Sequence, residues 1–294
     1  MHIGEKIKAL RQSKLMTQAE LAGNQITRNM LSSIEHGTAL PSLPTALYIA
    51  DRLNVPVGYL LAQDGDELAY RKMTAIGNIR RAFSAGDFAG TLALVNAAAG
   101  NETDDELSLI RAQCEFGLAH KLLEEGRLRP AVAAFDRALL AAERTVYDTD
   151  WLRRRIGVCF RYLTGISATL TSDVLDADEA DAARAFGDEL CEYVLALEQL
   201  EENAAAAEEF ATRHPNSAYT ARLKALLLMH NGAYPDALSA LEELLSREEL
   251  TFGLLLYEVF GDLEVCCRKN DDYKRAYEFS GSRLALLERL LEEL

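Results

Sequence analysis

The 294-residue chain carries 46 acidic against 31 basic side chains, a net charge of −15, with 49% hydrophobic residues and five cysteines. That length supports two or three domains and a core that needs no covalent staples. Scattered cysteines, odd in number and without CxxC spacing, speak against a disulfide framework or a zinc site, and no apolar run reaches the ~18 residues of a membrane span, so a cytoplasmic protein is expected.

The charge is unevenly placed. Residues 1 to 63 hold six basic side chains (Lys6, Lys8, Arg11, Lys14, Arg28, Arg52) against four acidic ones (Glu5, Glu20, Glu35, Asp51), a sum of +2 that leaves −17 for the rest. An acidic body behind a mildly basic N-terminal module suggests DNA contact confined to that module. Non-specific affinity is then modest, because few cations displace counterions from the phosphate backbone.

Ile3 to Lys14 reads as an amphipathic helix, with Ile3, Ile7 and Leu10 on one side and Lys6, Lys8, Arg11 and Lys14 as a basic face. Thr17 followed by Glu20 three residues later spells a capping box that opens a second helix. Thr27 caps a third, and Gly37 ends it. Pro41 and Pro44 punctuate the next connection, Leu47, Ile49, Ala50 and Leu53 form a fourth helix, and Pro56 to Leu61 a short fifth. Five helices over residues 3 to 61 predict a compact all-α domain spanning 1–65.

Residues 3 to 61 resemble the XRE, or phage-repressor, helix-turn-helix domain. The matching elements are the TQAELA run at 17–22, the SxIEHG segment ending at Gly37, Pro41-Ser42, and the closing IADRLNVPVGYLL. One departure is that Gln18 and Thr27 lie nine apart, one less than is usual, and this shortened connection resembles the peptide-responsive Rgg and PlcR type. The resemblance implies that Gln18, at the N-terminus of the second helix, contacts a phosphate with the help of the helix dipole. It also implies that Arg28, Asn29 and Ser33 face base edges, with Thr27 near the backbone. Arg can donate two hydrogen bonds to guanine and Asn can pair with adenine, each contact being worth about 1–3 kcal/mol of discrimination. The bland alternative is that Arg28 reaches only a phosphate and Asn29 solvates a helix start. For Arg11 and Glu35 the resemblance implies a structural ion pair between the first and third helices, and His36 reads as a helix-terminal surface residue.

From Glu67 onward almost every segment reads helical, with Pro130, Pro215 and Pro235 as breakers. A turn residue, then an aromatic or leucine, then a helix with small residues at fixed offsets recurs four times. The signatures are Gly86-Asp87-Phe88, Gly126-Arg127-Leu128 (leading to Ala131, Phe135 and Ala138), Gly232-Ala233-Tyr234 (leading to Ala237 and Leu241), and Asp271-Asp272-Tyr273 (leading to Ala276 and Ser280). The intervals are 40, 106 and 39 residues, the long one leaving room for a degenerate hairpin around Ala185 to Ala211. Small residues let the two helices of a hairpin cross closely, and Phe135, Tyr234 and Tyr273 are expected to fill the space between hairpins.

This pattern resembles degenerate tetratricopeptide repeats, and a HEAT-like or irregular α-solenoid stays open. The fold expectation is therefore all-α, an N-terminal five-helix phage-repressor-like helix-turn-helix domain (1–65) followed by a TPR-like α-solenoid (66–294). With the shortened connection, the whole chain resembles the RRNPP group of quorum-sensing regulators. That resemblance implies a homodimer that binds double-stranded DNA and a short signalling peptide held in the solenoid. Candidates for the peptide groove are Arg153, Arg154, Arg155, Arg161, Tyr162, Asn203, Asn231 and Tyr257. The arginine run beside Trp151 could receive a peptide carboxylate, or could equally neutralise Asp148 and Asp150 at a solvated helix start. Leu284, Leu287, Leu291 and Leu294 give the last helix an apolar stripe that either caps the solenoid or forms a dimer seam.

Nothing points to an enzyme or a cofactor: there is no Gly-rich phosphate loop, no HExxH and no GxSxG. The five histidines are isolated in sequence, Glu201-Glu202, Glu208-Glu209 and Glu292-Glu293 read as solvated faces, and Cys266-Cys267 reads as two buried small residues. The expectation is a DNA-binding transcription regulator whose repeat domain senses a peptide or another effector. An interaction adaptor tethered to DNA, and a constitutive repressor with a purely dimerising solenoid, are the alternatives.

Overall fold

The computed structural model describes residues 2–62, 67–175, 188–200, 204–248, 250 and 252–292. Among them every regular element is a helix, sixteen in all. None is long and apolar enough to cross a membrane. The chain forms two compact units, Met1–Ala85 with Ala93–Glu102, and Gly86–Leu92 with Thr103–Leu294.

The first unit begins with α1 (Ile3–Ser13), α2 (Gln18–Ala22), α3 (Arg28–Glu35), α4 (Leu43–Arg52) and α5 (Val57–Leu61), all five where the capping and turn residues place them. Thr17 Oγ1 accepts from Glu20 N at 3.1 Å while Glu20 Oε2 accepts from Thr17 N at 2.6 Å, which completes the capping box. Thr27 Oγ1 accepts from Met30 N at 3.1 Å, and Gly37 leaves α3 at φ +69°. Ile7, Leu21, Leu31, Ile34, Ile49, Leu53 and Leu60 are fully buried between the helices. Burial of each such side chain is worth about 1.5–3 kcal/mol. Where α1 crosses α3 the backbones come so close that a Cβ on Gly4 would overlap the Ile34 carbonyl oxygen. The rest of the unit is α6 (Glu67–Ser84) and the C-terminal part of α7 (Phe88–Ala99), where Arg71 Nε donates to Ala98 O at 3.0 Å.

Lys6 departs from the basic face drawn for α1. It is buried, donating from Nζ to Ala62 O at 2.7 Å, with the ring of Tyr59 5.7 Å away. The carbonyl left free at the end of α5 attracts the ammonium inward, so the solvated face of α1 carries one cation fewer.

The second unit is built from α8 (Asp105–Glu124), α9 (Leu128–Ala142), α10 (Asp150–Ile166), α11 (Glu189–Gln199), α12 (Ala204–Arg213), α13 (Ala218–His230), α14 (Tyr234–Leu245), α15 (Leu254–Lys269) and α16 (Tyr273–Glu292). The repeat signatures mark the turns before α7, α9, α14 and α16. Gly86, Gly126, Gly232 and Asp271 adopt φ of 73°, 74°, 76° and 58°. Three of these turns share one bond pattern. Gly126 N and Arg127 N donate to Leu123 O and Leu122 O, Gly232 N and Ala233 N to Met229 O and Leu228 O, and Asp271 N and Asp272 N to Arg268 O and Cys267 O. This is the left-handed C-cap that satisfies the last carbonyls of a helix, with an aspartate replacing glycine in the last copy.

Ala112 and Ala119 on α8 and Ala131, Ala134 and Ala138 on α9 are fully buried, so this hairpin closes on small side chains as expected. Phe135 fills the space beyond it, with ring centroids 5.9 Å from Phe116 and 5.8 Å from Phe160. Tyr234 is half-buried, but Tyr273 is 64% exposed and donates to Asp271 of its own turn at 3.1 Å. The degenerate hairpin placed around 185–211 corresponds to α11 and α12, although Ala185 lies outside the described residues.

The stripe on α16 is rotated from the one read in the sequence. Ala276, Leu286 and Leu290 are the buried positions, Leu287 and Leu291 are half-buried, Leu284 is 59% exposed, and Leu294 lies outside the described residues. The leucines are dense enough in this segment to fit two registers, and packing of α16 on α15 selects the one carrying Leu286 and Leu290.

Candidate nucleic-acid interface and ligand cavity

In the first unit, Thr27, Arg28 and Asn29 form the exposed opening turn of α3, and Ser33 follows half-buried one turn later. A capped, solvent-facing helix start is the geometry that can place a guanidinium and an amide in a major groove. Gln18 is the first residue of α2, but its amide is directed inward: Nε2 donates to Glu35 Oε2 at 2.8 Å.

The same Glu35 carboxylate, fully buried, accepts from Arg11 Nε at 2.6 Å and Nη2 at 3.1 Å. Arg11 Nη1 adds a bond to Met16 O at 2.8 Å. One carboxylate therefore ties α1, α2 and α3 together and sets the angle at which α3 is presented. Burial raises the Glu35 pKa, but the bonds from Arg11 and Gln18 outweigh it, and the carboxyl is held below its ordinary value. A second latch was not read from the sequence. Tyr48 donates to Ala22 O at 3.0 Å and Arg52 to Glu20 O at 2.5 Å, which holds α4 on the last turn of α2. His36, exposed at the end of α3, bonds Ser32 O at 2.7 Å.

In the second unit two cavities share Tyr162 as a common wall. The larger, about 600 Å³, is lined by His120, Glu124, Asp188, Tyr219, Phe252 and neighbouring leucines. The smaller, about 440 Å³, is lined by Arg161, Tyr162, Arg222, Tyr257, Glu258, Asp262 and Arg283 among others. Along the smaller cavity runs a buried polar network. Arg222 reaches Glu258 Oε2 from Nη1 at 2.7 Å and Asp262 Oδ2 from Nε at 2.7 Å, and also bonds the Tyr193 hydroxyl. Tyr162 and Tyr193 donate to Glu258 Oε2 at 2.7 and 3.0 Å. Burial pushes the Glu258 carboxyl up, with Arg222 and Tyr162 opposing it, and burial likewise pushes both tyrosine hydroxyls well up.

Of the groove candidates, Arg161, Tyr162 and Tyr257 come together on the smaller cavity. Arg161 is also paired with Glu198, Nε to Oε1 at 2.9 Å and Nη2 to Oε2 at 3.2 Å. Arg154 is exposed on α10 and Asn231 is the C-cap of α13, and neither lines either cavity, while Asn203 lies outside the described residues. Arg153 pairs with Glu143 at 3.3 Å and Arg155 lies over the Trp151 ring at 5.1 Å. Glu208 and Glu209 are exposed, and Glu201, Glu202 and Glu293 lie outside the described residues.

Arg222, Glu258, Asp262 and Arg283 escaped the sequence reading. One signal was available: Glu258 and Asp262 are spaced i, i+4 on α15. The Arg283 guanidinium lies 4.6 Å over the Tyr257 ring, in space that Gly261 leaves open, and its buried Nε has no hydrogen-bond partner among the described residues. The structure also joins three potential metal ligands from separate helices, His120, Cys159 and Cys191. Cys266 and Cys267 are buried, as expected of small core residues.

The helix-turn-helix family model HTH_3 matches residues 7–60. No curated protein matches the chain. Among solved structures, Bacillus thuringiensis PlcR in complex with the peptide PapR7 and DNA is 17% identical, covering 99% of both chains at a TM-score of 0.27. ComR from S. thermophilus, in complex with DNA and its signalling peptide ComS, is 18% identical, covering 99% of this chain and 94% of its own at 0.24. The Streptococcus dysgalactiae SHP pheromone receptor Rgg2 is 13% identical, covering 83% of this chain and 98% of its own at 0.22. All three superpositions are loose.

Proposed function

We propose that the protein is a cytoplasmic, dimeric transcription regulator whose residues 1–65 read double-stranded DNA and whose residues 66–294 sense a short peptide and dimerise. The observation that carries the reading is the capped start of α3, where Arg28 and Asn29 stand exposed side by side in a matched helix-turn-helix domain. Glu35, Arg11 and Gln18 hold that start rigidly enough for base-edge recognition. Gln18 meets a phosphate through its backbone N–H at the head of α2, its side chain being engaged by Glu35. Ser33 and Thr27 flank the reading residues.

For the effector, the smaller cavity supplies a stacked guanidinium with an unmatched donor, Arg283, beside Arg161, Tyr162 and Tyr257. A carboxylate is the complementary group, and the end or an acidic side chain of a peptide presents one. Arg154 and Asn231 then serve further along an extended ligand. For dimerisation, Tyr273, Tyr277 and Leu284 expose 64%, 82% and 59% of their surface on one α16 face, a stripe that a second copy would cover.

Selection of bound sequences from a random duplex library by the full-length protein tests the reading. Recovery of a two-half-site consensus supports it, and recovery without sequence preference refutes it. Native mass spectrometry with short acidic peptides tests the effector arm separately.

A further inference from the structure

His120 on α8, Cys159 on α10 and Cys191 on α11 have nothing to do with the polar network around Arg222, yet their ligand atoms all lie within 4.8 Å of one another. Cys159 Sγ is 3.9 Å from Cys191 Sγ and 3.9 Å from His120 Nε2. A tetrahedral zinc ion, with bonds of about 2.3 Å to sulfur and about 2.0–2.1 Å to nitrogen, needs edges of about 3.8 Å between sulfurs and about 3.6 Å between sulfur and nitrogen. The two edges that meet at Cys159 therefore already match such a coordination shell closely, and the third, from His120 to Cys191, is within 4.8 Å. We infer that His120, Cys159 and Cys191 form a zinc site of the Cys2His type, with the Asp188 carboxylate beside it.

The surroundings suit the donors. Asp188 Oδ2 lies 3.5 Å from His120 Nε2, and its Oδ1 accepts from Cys191 N at 2.9 Å. Cys191 thus sits in the first turn of α11. The His120 ring is packed 4.5 Å from Phe116 and 5.9 Å from Phe135, which fixes the direction of its nitrogen. Both thiols are fully buried, and burying a dication there is tolerable only if its charge is cancelled. On binding, each thiol releases one proton to solvent, so two thiolates neutralise Zn²⁺ and no electron is transferred. The ion would pin three helices of the second unit to one point beside the larger cavity, which His120 and Asp188 also line.

The site stands independently of the DNA and peptide readings, and cobalt is the probe. Full-length protein purified under reductant and stripped with chelator should bind one Co²⁺ per chain, with thiolate-to-cobalt charge transfer in the near ultraviolet and the intense visible bands of a tetrahedral site. Zn²⁺ should displace it. A Cys114→Ala, Cys266→Ala, Cys267→Ala variant should keep both signals. The Cys159→Ser, Cys191→Ser variant should lose the charge-transfer band, and His120→Asn should weaken binding at least tenfold. Should those variants fail to fold, differential alkylation of the wild-type chain decides. Zinc must protect Cys159 and Cys191 while Cys114, Cys266 and Cys267 label as before in denaturant-pulsed samples. Absence of the band in the reduced wild type, its survival in the double variant, or protection of the other cysteines instead overturns the site.

Discussion

Arg11 and Glu35, 24 residues apart, meet in a two-pronged ion pair at 2.6 and 3.1 Å on a carboxylate with no exposed surface. Gln18 completes the carboxylate's shell. Because the pair joins α1 to α3 and the amide joins α2, its integrity decides where the opening turn of α3 points. Replacing either charged partner strands the other in the core, which typically costs about 3–5 kcal/mol. Glu35→Ala should therefore lower the unfolding midpoint of the N-terminal module strongly, as followed by chemical denaturation. The Glu35 carboxyl is held below its ordinary value, so its stabilisation is present above that ordinary value and is lost as pH falls through the lower, folded-state value. Wild-type stability should thus decline in acid more steeply than that of Glu35→Gln, whose amide does not titrate.

Gly4 is where α1 and α3 touch backbone to backbone, and a Cβ there would press on the rigid carbonyls of Ile34 and Glu35. Helix propensity alone favours alanine by up to ~1 kcal/mol. The overlap should win, since packing violations of this kind cost about 1–3 kcal/mol or more. Gly4→Ala is expected to destabilise the module in thermal melts and to weaken DNA binding with it. A stabilised variant would mean that the two helices can separate freely.

Arg222 is matched by Glu258 and Asp262 in the second unit, with two tyrosine hydroxyls on the same Glu258 oxygen. Arg222→Leu leaves both carboxylates without their cation, and a loss of about 3–5 kcal/mol is expected near neutral pH. Burial already pushes Glu258 upward and Arg222 opposes that, so removing the arginine raises the carboxyl further. A group whose folded-state value is raised gains stability as pH falls. The deficit of the variant should therefore shrink on mild acidification, measured as the difference in unfolding free energy from wild type across pH 5 to 8. A deficit independent of pH would show that Glu258 does not carry it.

The exposed face of α16 gives a test of assembly. Tyr273, Tyr277 and Leu284, four and seven residues apart, share one face of α16 on the side opposite Leu286 and Leu290. Tyr277→Glu should convert a dimer to a monomer in sedimentation at micromolar concentration without changing helical content. A wild-type monomer, or a variant that remains dimeric, moves the seam elsewhere.

Local signals carried most of the fold. Thr17, Thr27 and Gly37 announced the helix ends because capping is a matter of three or four neighbouring residues, and Gly126, Gly232 and Asp271 announced hairpin turns for the same reason. What stayed hidden depends on contacts distant in sequence. Lys6 looked solvent-facing until the end of α5 offered it a carbonyl, and the leucines of α16 fitted two registers until α15 chose one. The cavity partners of Tyr162 come from α11, α13, α15 and α16, and His120, Cys159 and Cys191 are separated by 39 and 32 residues. No spacing rule joins positions that far apart without a confident repeat register.

Arg28 is the residue on which DNA selectivity should turn. It is exposed in the first turn of α3, one position after the Thr27 cap, beside Asn29. If it donates two bonds to one guanine, Arg28→Ala loses about 1–3 kcal/mol at that base, roughly a 5- to 150-fold fall in preference over the mismatched site. The phosphate contribution, by contrast, comes from few cations, since the module carries a charge of only about +2, Lys6 included, and the Lys6 ammonium is itself buried on the Ala62 carbonyl. The salt dependence of binding should therefore be shallow and nearly the same for wild type and variant, while the ratio of cognate to mismatched affinity collapses. Titrations of both duplexes at several salt concentrations separate the two effects. A variant that keeps its selectivity but shows a reduced salt slope would place Arg28 on a phosphate and leave base reading to Asn29 and Ser33.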